Sequence, residues 1–258
     1  DPTATARLAR WFVIGKVANA RALLVRSARE RRDAPSALHD AASRLADRLV
    51  DLGRADLSTE TVRGHEGEAA AGYFGAFDAM IRSPDPAFRF ATRSRRPPLN
   101  AVNALLSFVY ALLRHDCVSA LAAAGLDPAV GYLHVDRPGR PSLALDLMEE
   151  FRPALADRLV LALINRGQVT PGGFVRDEAG GISMDADTRR TVLVAYQERK
   201  QAALTHPVTG EETTYAVVPH IQARCWPAPP SDLTHPLLVR KGIPAAHHVL
   251  LIATTSPP

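Results

Sequence analysis

The chain contains very little cysteine. Its two cysteines, Cys117 and Cys225, stand far apart among 258 residues and form no Cys-x-x-Cys pair. Isolated thiols of this kind are typical of proteins from a reducing compartment, whereas disulfide frameworks and zinc sites need several suitably spaced cysteines. We therefore exclude a disulfide framework and a cysteine-based zinc site, and we predict a cytoplasmic location.

The chain also lacks the signals that direct a protein to a membrane. Its N-terminal residues do not show the charged, apolar and small-residue succession of a signal peptide. We expect no apolar stretch to be long enough to cross a bilayer, which takes roughly 20 residues of helix. A membrane partner is accordingly not predicted.

Composition indicates a folded domain with a modest excess of positive charge. Hydrophobic residues make up 47% of the chain and charged residues 22%, proportions that are usual for a globular protein. The formal net charge of +4 allows nucleic acid as a partner but does not demonstrate it. Arginine supplies most of the positive charge, and its forked guanidinium suits contacts with phosphate.

Helical spacing of apolar residues runs through most of the sequence and predicts a mainly α fold. We predict helices over residues 4–29, 35–53, 58–81, 100–124, 143–165 (bent near Pro153) and 185–204, with Asn100, Ser142 and Asp185 as N-caps. The glycine-rich residues 167–181 predict a short hairpin or a mobile loop. One helical domain over residues 1–224 is thus followed by an irregular, proline-rich tail over residues 225–258.

A basic run closes the first predicted helix. It comprises Arg26, Arg29, Arg31 and Arg32. A solvated helix end and a DNA contact are equally open explanations of such a run.

Two segments place a chemically active side chain in an apolar setting. Glu66 shares a helix face with Tyr73 and Phe77, so its carboxylate must be ion-paired, hydrogen-bonded or bound to a metal. His134 follows an apolar approach and precedes a Gly/Pro loop, a position at the edge of a cleft. Taken singly, Glu66 is better explained as a member of a structural ion pair, and His134 as a structural histidine.

A third segment carries Asp146 and Glu149, which lie at i and i+3 and are neighbours on one helix surface. Alone, they are explained as solvated acids or as partners of Arg152. Together with Glu66 and His134, however, they make a plausible site for Mg²⁺ or Mn²⁺, because carboxylates suit hard cations and an imidazole favours manganese.

Four blocks of the sequence resemble the CRISPR-associated spacer-acquisition integrases, in the same order and with matching separations over residues 5–224. They are Gly64–Phe74, Arg96–Tyr110, Gly125–His134 and Leu143–Pro153. The resemblance implies the helical catalytic domain of that family. It also implies a metal-dependent DNA endonuclease and integrase, which inserts spacer DNA into a CRISPR array by attack of a 3′-hydroxyl on a phosphodiester.

The resemblance further implies a set of site residues and partners. The metal ligands would be Glu66, His134 and Asp146, with Glu149 as a further candidate, and the partners would be double-stranded and branched DNA, the small CRISPR adaptation protein Cas2, and a second copy of the chain in a homodimer. The expected DNA-binding residues are Arg89, Arg93, Arg95, Arg96, Arg137, Arg140 and Tyr110. A solvated basic loop anchored by core phenylalanines is the structural alternative for the run from Phe88 to Arg96.

Two departures from the family pattern leave other functions open. The family usually begins with a small β-rich domain, whereas this chain opens at what resembles the helix after it, and the tail from Cys225 onward no longer follows the family. We therefore keep as alternatives a non-catalytic DNA-binding or assembly subunit and an inactive fragment. A helical nucleotide phosphohydrolase is a weaker alternative, since such enzymes usually repeat a Glu-x-x-Glu ligand pattern that is absent here.

Overall fold

A computed structural model describes residues 1–54, 56–206 and 210–225 of the chain, and the mainly α fold is confirmed. The helices are α1 (Pro2–Arg29), α2 (Ser36–Leu52), α3 (Thr59–Gly75), α4 (Ala101–Ala123), α5 (Ser142–Phe151), α6 (Arg158–Asn165), α7 (Ala186–Lys200) and α8 (Val218–Cys225). The strands are β1 (Phe174–Arg176), β2 (Ile182–Met184), β3 (Ala203–Thr205) and β4 (Glu212–Thr214). From Trp226 onward, the predicted tail lies outside the described residues.

Helix α1 forms one side of the core and contacts α2, α3 and α5. Its central turns are buried on nearly all sides, as at Phe12, Ile14 and Val17. Helix α2 covers it with a leucine stripe at helical spacing that includes Leu38, Leu45 and Leu49. Each buried leucine contributes about 1.5–3 kcal/mol relative to an exposed one, so this stripe fixes α2 against α1.

Side-chain caps define several helix starts. The Asn100 side chain accepts a hydrogen bond from Asn103 N at 2.8 Å, and that of Asp185 accepts one from Thr188 N at 2.7 Å, which confirms both predicted caps. The prediction for Ser142 is wrong, because this residue is the first residue of α5 rather than its cap. Its hydroxyl instead donates to Val135 O at 3.2 Å and ties the start of α5 to the preceding loop.

The predicted helix over residues 143–165 consists of α5 and α6 joined by a π-helical turn from Arg152 to Asp157. Pro153 explains the turn, because proline has no N–H and its ring crowds the carbonyl four residues earlier. The extra residue in the turn directs the buried Asp157 towards α3 and α4, where it meets two tyrosines.

Two antiparallel hairpins complete the described fold. The glycine-rich segment contains β1 and the turn of a hairpin, with Phe174 opposite Met184. The hairpin is thus confirmed, but its second strand, β2, follows the predicted segment. The second hairpin, β3 and β4, was not predicted, and it ends α7 at Lys200 instead of near Leu204. Helix α3 likewise ends earlier than predicted, at Gly75.

Helix α4 is long and apolar enough, by length and composition, to cross a membrane. Its most apolar 18-residue window has a mean hydropathy of 1.3, so the expectation that no such stretch exists is wrong. Half of that window is buried inside the protein. Since α4 packs against α5, α6, α7 and α8, its composition is that of a core helix.

Candidate active site

His134 is held in one orientation by Asp146. The Asp146 side chain is completely buried and accepts hydrogen bonds from the backbone amides of Tyr132 at 2.6 Å, Leu133 at 3.0 Å and His134 at 2.9 Å. Its Oδ1 also lies 2.6 Å from His134 Nδ1. A proton on Nδ1 is thereby favoured, and the lone pair of a neutral ring is left on Nε2.

The loop that carries His134 is closely packed against α5. A Cβ atom at Gly131 would lie 2.5 Å from Ser142 Cβ and 2.7 Å from His134 O, so only glycine fits there. Arg63 of α3 donates to Leu133 O at 2.7 Å and fixes the loop from the other side. The three amides therefore converge on Asp146 because the loop is held from both sides.

Lys16 of α1 joins two further acids. Its ammonium forms ion pairs with Glu66 Oε1 of α3 and with Glu149 Oε2 of α5, the latter at 2.7 Å. The side chain of Glu149 is 3% exposed, and its Oε1 lies 3.8 Å from His134 Nε2. The structure thus brings together the three acids and the one histidine that were predicted from the sequence. They are Glu66, Asp146, Glu149 and His134.

Arg152 completes the charge balance of the site. It pairs with Glu149 Oε1 at 3.1 Å, and its guanidinium carbon lies 4.8 Å from the centre of the Tyr110 ring. Burial alone would raise the pKa of Glu149, but the positive charges of Arg152 and Lys16, joined by His134 when its ring is protonated, outweigh it and lower that pKa to about 2. Glu149 is therefore a carboxylate at any ordinary pH.

A buried carboxyl group lies behind Arg152. Asp157 accepts hydrogen bonds from Tyr110 at 2.6 Å and from Tyr73 at 2.8 Å. Burial raises the pKa of Asp157 to about 6, against the lowering effect of the two hydroxyl donors and of Arg152. Tyr110 is thus tied to the core by its hydroxyl and to the site by its ring.

The roles of the predicted ligands differ in this geometry. Both oxygens of Asp146 are engaged by the loop and by His134, whereas Glu149 Oε2 is buried and accepts no well-directed hydrogen bond. In the described part of the chain, no three acidic, imidazole or thiol groups are close enough to hold a metal as they stand. Lys16 lies between Glu66 and Glu149 and occupies the position where a cation would meet both carboxylates.

Three of the arginines predicted to bind DNA line one open cleft of about 270 Å³ beside the site. These are Arg93, Arg95 and Arg96, and Tyr110 lines the same cleft. Arg93 is also structural, since it donates to Asn103 Oδ1 at 2.8 Å and to Ser107 Oγ at 3.1 Å.

The other predicted arginines lie outside this cleft. Arg89 is exposed and pairs with Asp78 at 3.1 Å. Arg137 and Arg140 belong to the loop after His134.

Sequence reasoning missed Lys16 and Arg114, and it considered Arg152 only as an ion-pair partner. Lys16 is one of only three lysines in the chain, and it interrupts a buried run of α1 between Gly15 and Val17. That isolated charge in an apolar run was the available signal. Arg114 follows Tyr110 by one helical turn and lines the same cleft, so helical periodicity would have found it.

Comparison with known proteins decides the family. A sequence profile described as "CRISPR associated protein Cas1" matches residues 1–198. The chain belongs to the Cas1 family. It is 52% identical over 221 residues to "CRISPR-associated endonuclease Cas1 1" of Chlorobaculum tepidum, a match that covers 85% of this chain and 64% of that protein. It is 50% identical over 222 residues to "CRISPR-associated endonuclease Cas1 2" of Rhodospirillum rubrum, covering 84% of this chain and again 64% of the relative. The resemblance inferred from the four blocks is confirmed, and the match spans just under two thirds of these relatives.

Solved structures agree with this assignment. A casposase bound to its integration product matches 87% of the chain and 60% of that protein, with a TM-score of 0.67 and 26% identity. A Cas1 protein from Thermotoga maritima matches 83% of the chain and 63% of that protein, with a TM-score of 0.66 and 26% identity. A partial Cas6-RT-Cas1–Cas2 complex reaches a TM-score of 0.75 at 24% identity and shows the shared fold.

Proposed function

We propose that this chain is a metal-dependent DNA endonuclease and integrase that inserts spacer DNA into a CRISPR array. The observation that carries this proposal is that Glu66 and Glu149 share the ammonium of Lys16, while His134 Nε2 lies 3.8 Å from Glu149 Oε1. An oxygen-rich set of two carboxylates and one imidazole suits Mg²⁺ or Mn²⁺. The names of the relatives, endonucleases of the Cas1 family, agree with this chemistry.

Within this proposal, Glu66, Glu149 and His134 Nε2 hold the cation, and Asp146 is a positioning residue. Asp146 accepts four hydrogen bonds, and a direct bond to a metal would cost it some of them. Glu149 Oε2 has no such commitment beyond its ion pair with Lys16. The ligand set expected from the resemblance is thereby refined: Glu149 takes the place of Asp146.

With a divalent cation held by Glu66, Glu149 and His134, the site would gain Lewis-acid stabilisation of the charge that develops on the scissile phosphodiester. Arg152, held between Glu149 and the Tyr110 ring, places a fixed positive charge at the same edge of the site. His134 remains fixed by Asp146 and needs no proton transfer of its own. The attacking group is the 3′-hydroxyl of incoming DNA in integration and water in simple nicking.

The cleft lined by Arg93, Arg95, Arg96, Arg114 and Arg152 provides the phosphate contacts. Five guanidinium groups without an acidic side chain in the lining favour salt-sensitive binding that is largely independent of sequence. Double-stranded and branched DNA are the proposed substrates. Cas2 and a second copy of this chain are the proposed protein partners, in keeping with the Cas1–Cas2 complexes among the structural neighbours.

A matched pair of variants on α3 tests the proposal. Labelled branched DNA is incubated with the chain and Mn²⁺ or Mg²⁺, and nicked and joined products are measured for the wild type, Glu66→Gln and Glu68→Gln. Glu66 faces Lys16, whereas the side chain of Glu68 is 68% exposed and pairs with Arg48. We expect metal-dependent products that disappear in Glu66→Gln and persist in Glu68→Gln, whereas equal activity of both variants would contradict the site.

The alternative is a non-catalytic assembly subunit. One observation favours it: Glu66 and Glu149 are both ion-paired, so the acids also make sense as structural groups. DNA binding without products in any divalent metal, with Cas2 supplied, would support this alternative.

A further inference from the structure

The buried carboxyl group of Asp157 has no part in the reaction described so far, and it does not stabilise the fold at neutral pH. Asp157 is 1% exposed, and a carboxylate in such surroundings is unfavourable unless hydrogen bonds and positive charges compensate for the lost water. Two tyrosine hydroxyls and Arg152 compensate only in part, because the pKa of Asp157 remains at about 6. Since this lies above the ordinary value of about 3.9, ionisation at neutral pH lowers the stability of the folded chain. Packing alone therefore does not explain an acid at this position.

The π-helical turn from Arg152 to Asp157 brings its two end residues to one side of the helix. In an α-helix, residues five positions apart are rotated by about 140° from each other. In a π-helix the hydrogen bonds join residues five apart, so these residues lie nearly one above the other. Arg152 and Asp157 accordingly line one recess together with Tyr73 and Tyr110. The wide turn thus places the carboxyl group next to the aromatic rings that surround Arg152.

The two tyrosines that donate to Asp157 differ in what their rings contact. The centre of the Tyr110 ring lies 4.8 Å from Arg152 Cζ and 5.4 Å from Arg93 Cζ. The Tyr73 ring instead packs edge-on against core phenylalanines. Tyr110 therefore links the buried carboxyl group to two guanidinium groups, whereas Tyr73 links it to the apolar core.

The position of the Arg152 guanidinium depends on the Tyr110 ring. Among the described residues, this guanidinium has a single ion pair, with Glu149 Oε1 at 3.1 Å, and its buried Nε has no hydrogen-bond partner. A side chain held in this way can turn about its ion pair unless the ring against which it packs is fixed. The hydrogen bond of 2.6 Å from the Tyr110 hydroxyl to Asp157 fixes that ring. Asp157 thereby determines where the positive charge of Arg152 lies beside Glu149.

We propose that Asp157 is a positioning residue, which holds the Tyr110 ring and, through it, the guanidinium groups of Arg152 and Arg93 in the geometry that attack on the phosphodiester requires. This inference rests on the proposed function, in which Arg152 is the fixed positive charge at the edge of the site. Charge that is already in place stabilises a transition state without reorganisation during the reaction, and a displacement of about 1 Å can lower the rate about 100-fold. The effect of Asp157 is therefore on the rate of the reaction rather than on the binding of DNA.

NMR of the metal-free protein tests the positioning step without catalysis. The ring current of Tyr110 shifts the Nε–H proton signal of Arg152, which is identified by its loss in Arg152→Lys. In Asp157→Ala this signal should move towards that of a free arginine. The matched control is Tyr196→Phe, which removes an equally short hydrogen bond of 2.6 Å to Asp116 and should leave the signal in place. An unchanged Arg152 signal in Asp157→Ala would overturn the proposal.

Strand-transfer kinetics with labelled branched DNA and Mn²⁺ test the consequence for the reaction. Asp157→Ala should lower kcat by about 10- to 100-fold and change KM by less than about 2-fold. Tyr110→Phe should have a similar effect, and the double variant should be no slower than either single variant, because both changes remove the same hydrogen bond. Fully additive effects would contradict the proposal, and so would a Tyr196→Phe control that loses as much rate as Asp157→Ala.

Tyr110→Phe also covers the case in which Asp157→Ala does not fold. It keeps the ring and removes only the hydroxyl, so it should show the same displaced Arg152 signal and the same fall in kcat, and wild-type values of both would refute the proposal. A wild type that transfers no strand, with a displaced signal in Asp157→Ala, would disprove the proposed function and leave Asp157 as the residue that positions Arg152. An active wild type in which Asp157→Ala keeps its kcat would do the reverse, so the two failures are distinguishable.

Discussion

The substitution Asp146→Asn separates a positioning role from a metal-ligand role. The carboxylate shares four hydrogen bonds between its two oxygens: Oδ2 accepts from the amides of Tyr132 and Leu133, and Oδ1 from the amide and ring of His134. Asparagine keeps one oxygen and replaces the other with an NH₂ group. If the NH₂ group takes the place of Oδ2, the amides of Tyr132 and Leu133 both face a donor. If it takes the place of Oδ1, the amide of His134 faces a donor, whereas the ring can accept through Nδ1 after its proton moves to Nε2.

The expected cost follows from this count. A hydrogen bond to a charged group contributes about 1.5–3 kcal/mol, so the loss of one or two such bonds lowers the free energy of unfolding by about 1.5–6 kcal/mol. This is a large part of the roughly 5–15 kcal/mol that stabilises an ordinary domain. The loop with His134 should therefore loosen even without any metal.

Urea denaturation in EDTA at neutral pH measures this effect. Asp136→Asn is the matched control, because exposed Asp136 accepts a single amide hydrogen bond from Gly131 through Oδ1, which asparagine retains. We expect the control to change stability by less than about 0.5 kcal/mol. If Asp146→Asn costs less than about 1 kcal/mol and yet abolishes Mn²⁺ binding, Asp146 is a metal ligand and our reasoning is refuted.

Three further predictions follow from the same network. Gly131→Ala should destabilise the chain by about 1–3 kcal/mol, because the added Cβ would lie 2.5 Å from Ser142 Cβ. Urea denaturation compares it with Gly67→Ala, where the added Cβ meets nothing. Equal urea midpoints of the two variants would contradict the prediction. Asp157 holds its proton more tightly in the folded chain, because burial raises its pKa to about 6. The free energy of unfolding, relative to that of Asp157→Asn, should therefore fall by up to about 3 kcal/mol as pH rises from about 4 to about 6. Urea denaturation at several pH values checks this, and a difference between the two proteins that does not change with pH would contradict it. Lys16→Met should lower the melting temperature in EDTA, because Glu66 and Glu149 lose their shared ammonium. For the same reason, Mn²⁺ should raise the melting temperature of this variant more than that of the wild type. Scanning fluorimetry measures both shifts, and equal Mn²⁺ responses of the two proteins would count against the site.

Helix positions were predictable because their signals are local. The caps at Asn100 and Asp185 and the break at Pro153 act within one or two turns of the chain. Prediction failed where residues outside the helix determine its ends. Helix α7 ends at Lys200 because the chain turns into the β3–β4 hairpin. Ser142 donates to Val135 O in the preceding loop instead of capping α5.

The sequence predicted which residues lie in the candidate site, but not the role that each of them has there. The family blocks identified Glu66, His134, Asp146 and Glu149, but the different roles of Asp146 and Glu149 depend on the groups that surround them. The amides that engage Asp146 come from a loop 12 to 14 residues earlier, and the ammonium beside Glu149 comes from Lys16 in the first helix. Arg93 illustrates the same limit, because its predicted role in DNA binding did not anticipate its bonds to Asn103 and Ser107.

The most direct test of the central claim is to locate Mn²⁺ in crystals of the chain by its anomalous scattering. We predict one strong peak in contact with Glu66, Glu149 and His134 Nε2, with the Lys16 ammonium moved away and the hydrogen bonds of Asp146 intact. A peak bound to Asp146, or a peak elsewhere with the Lys16 ion pairs unchanged, would contradict the account.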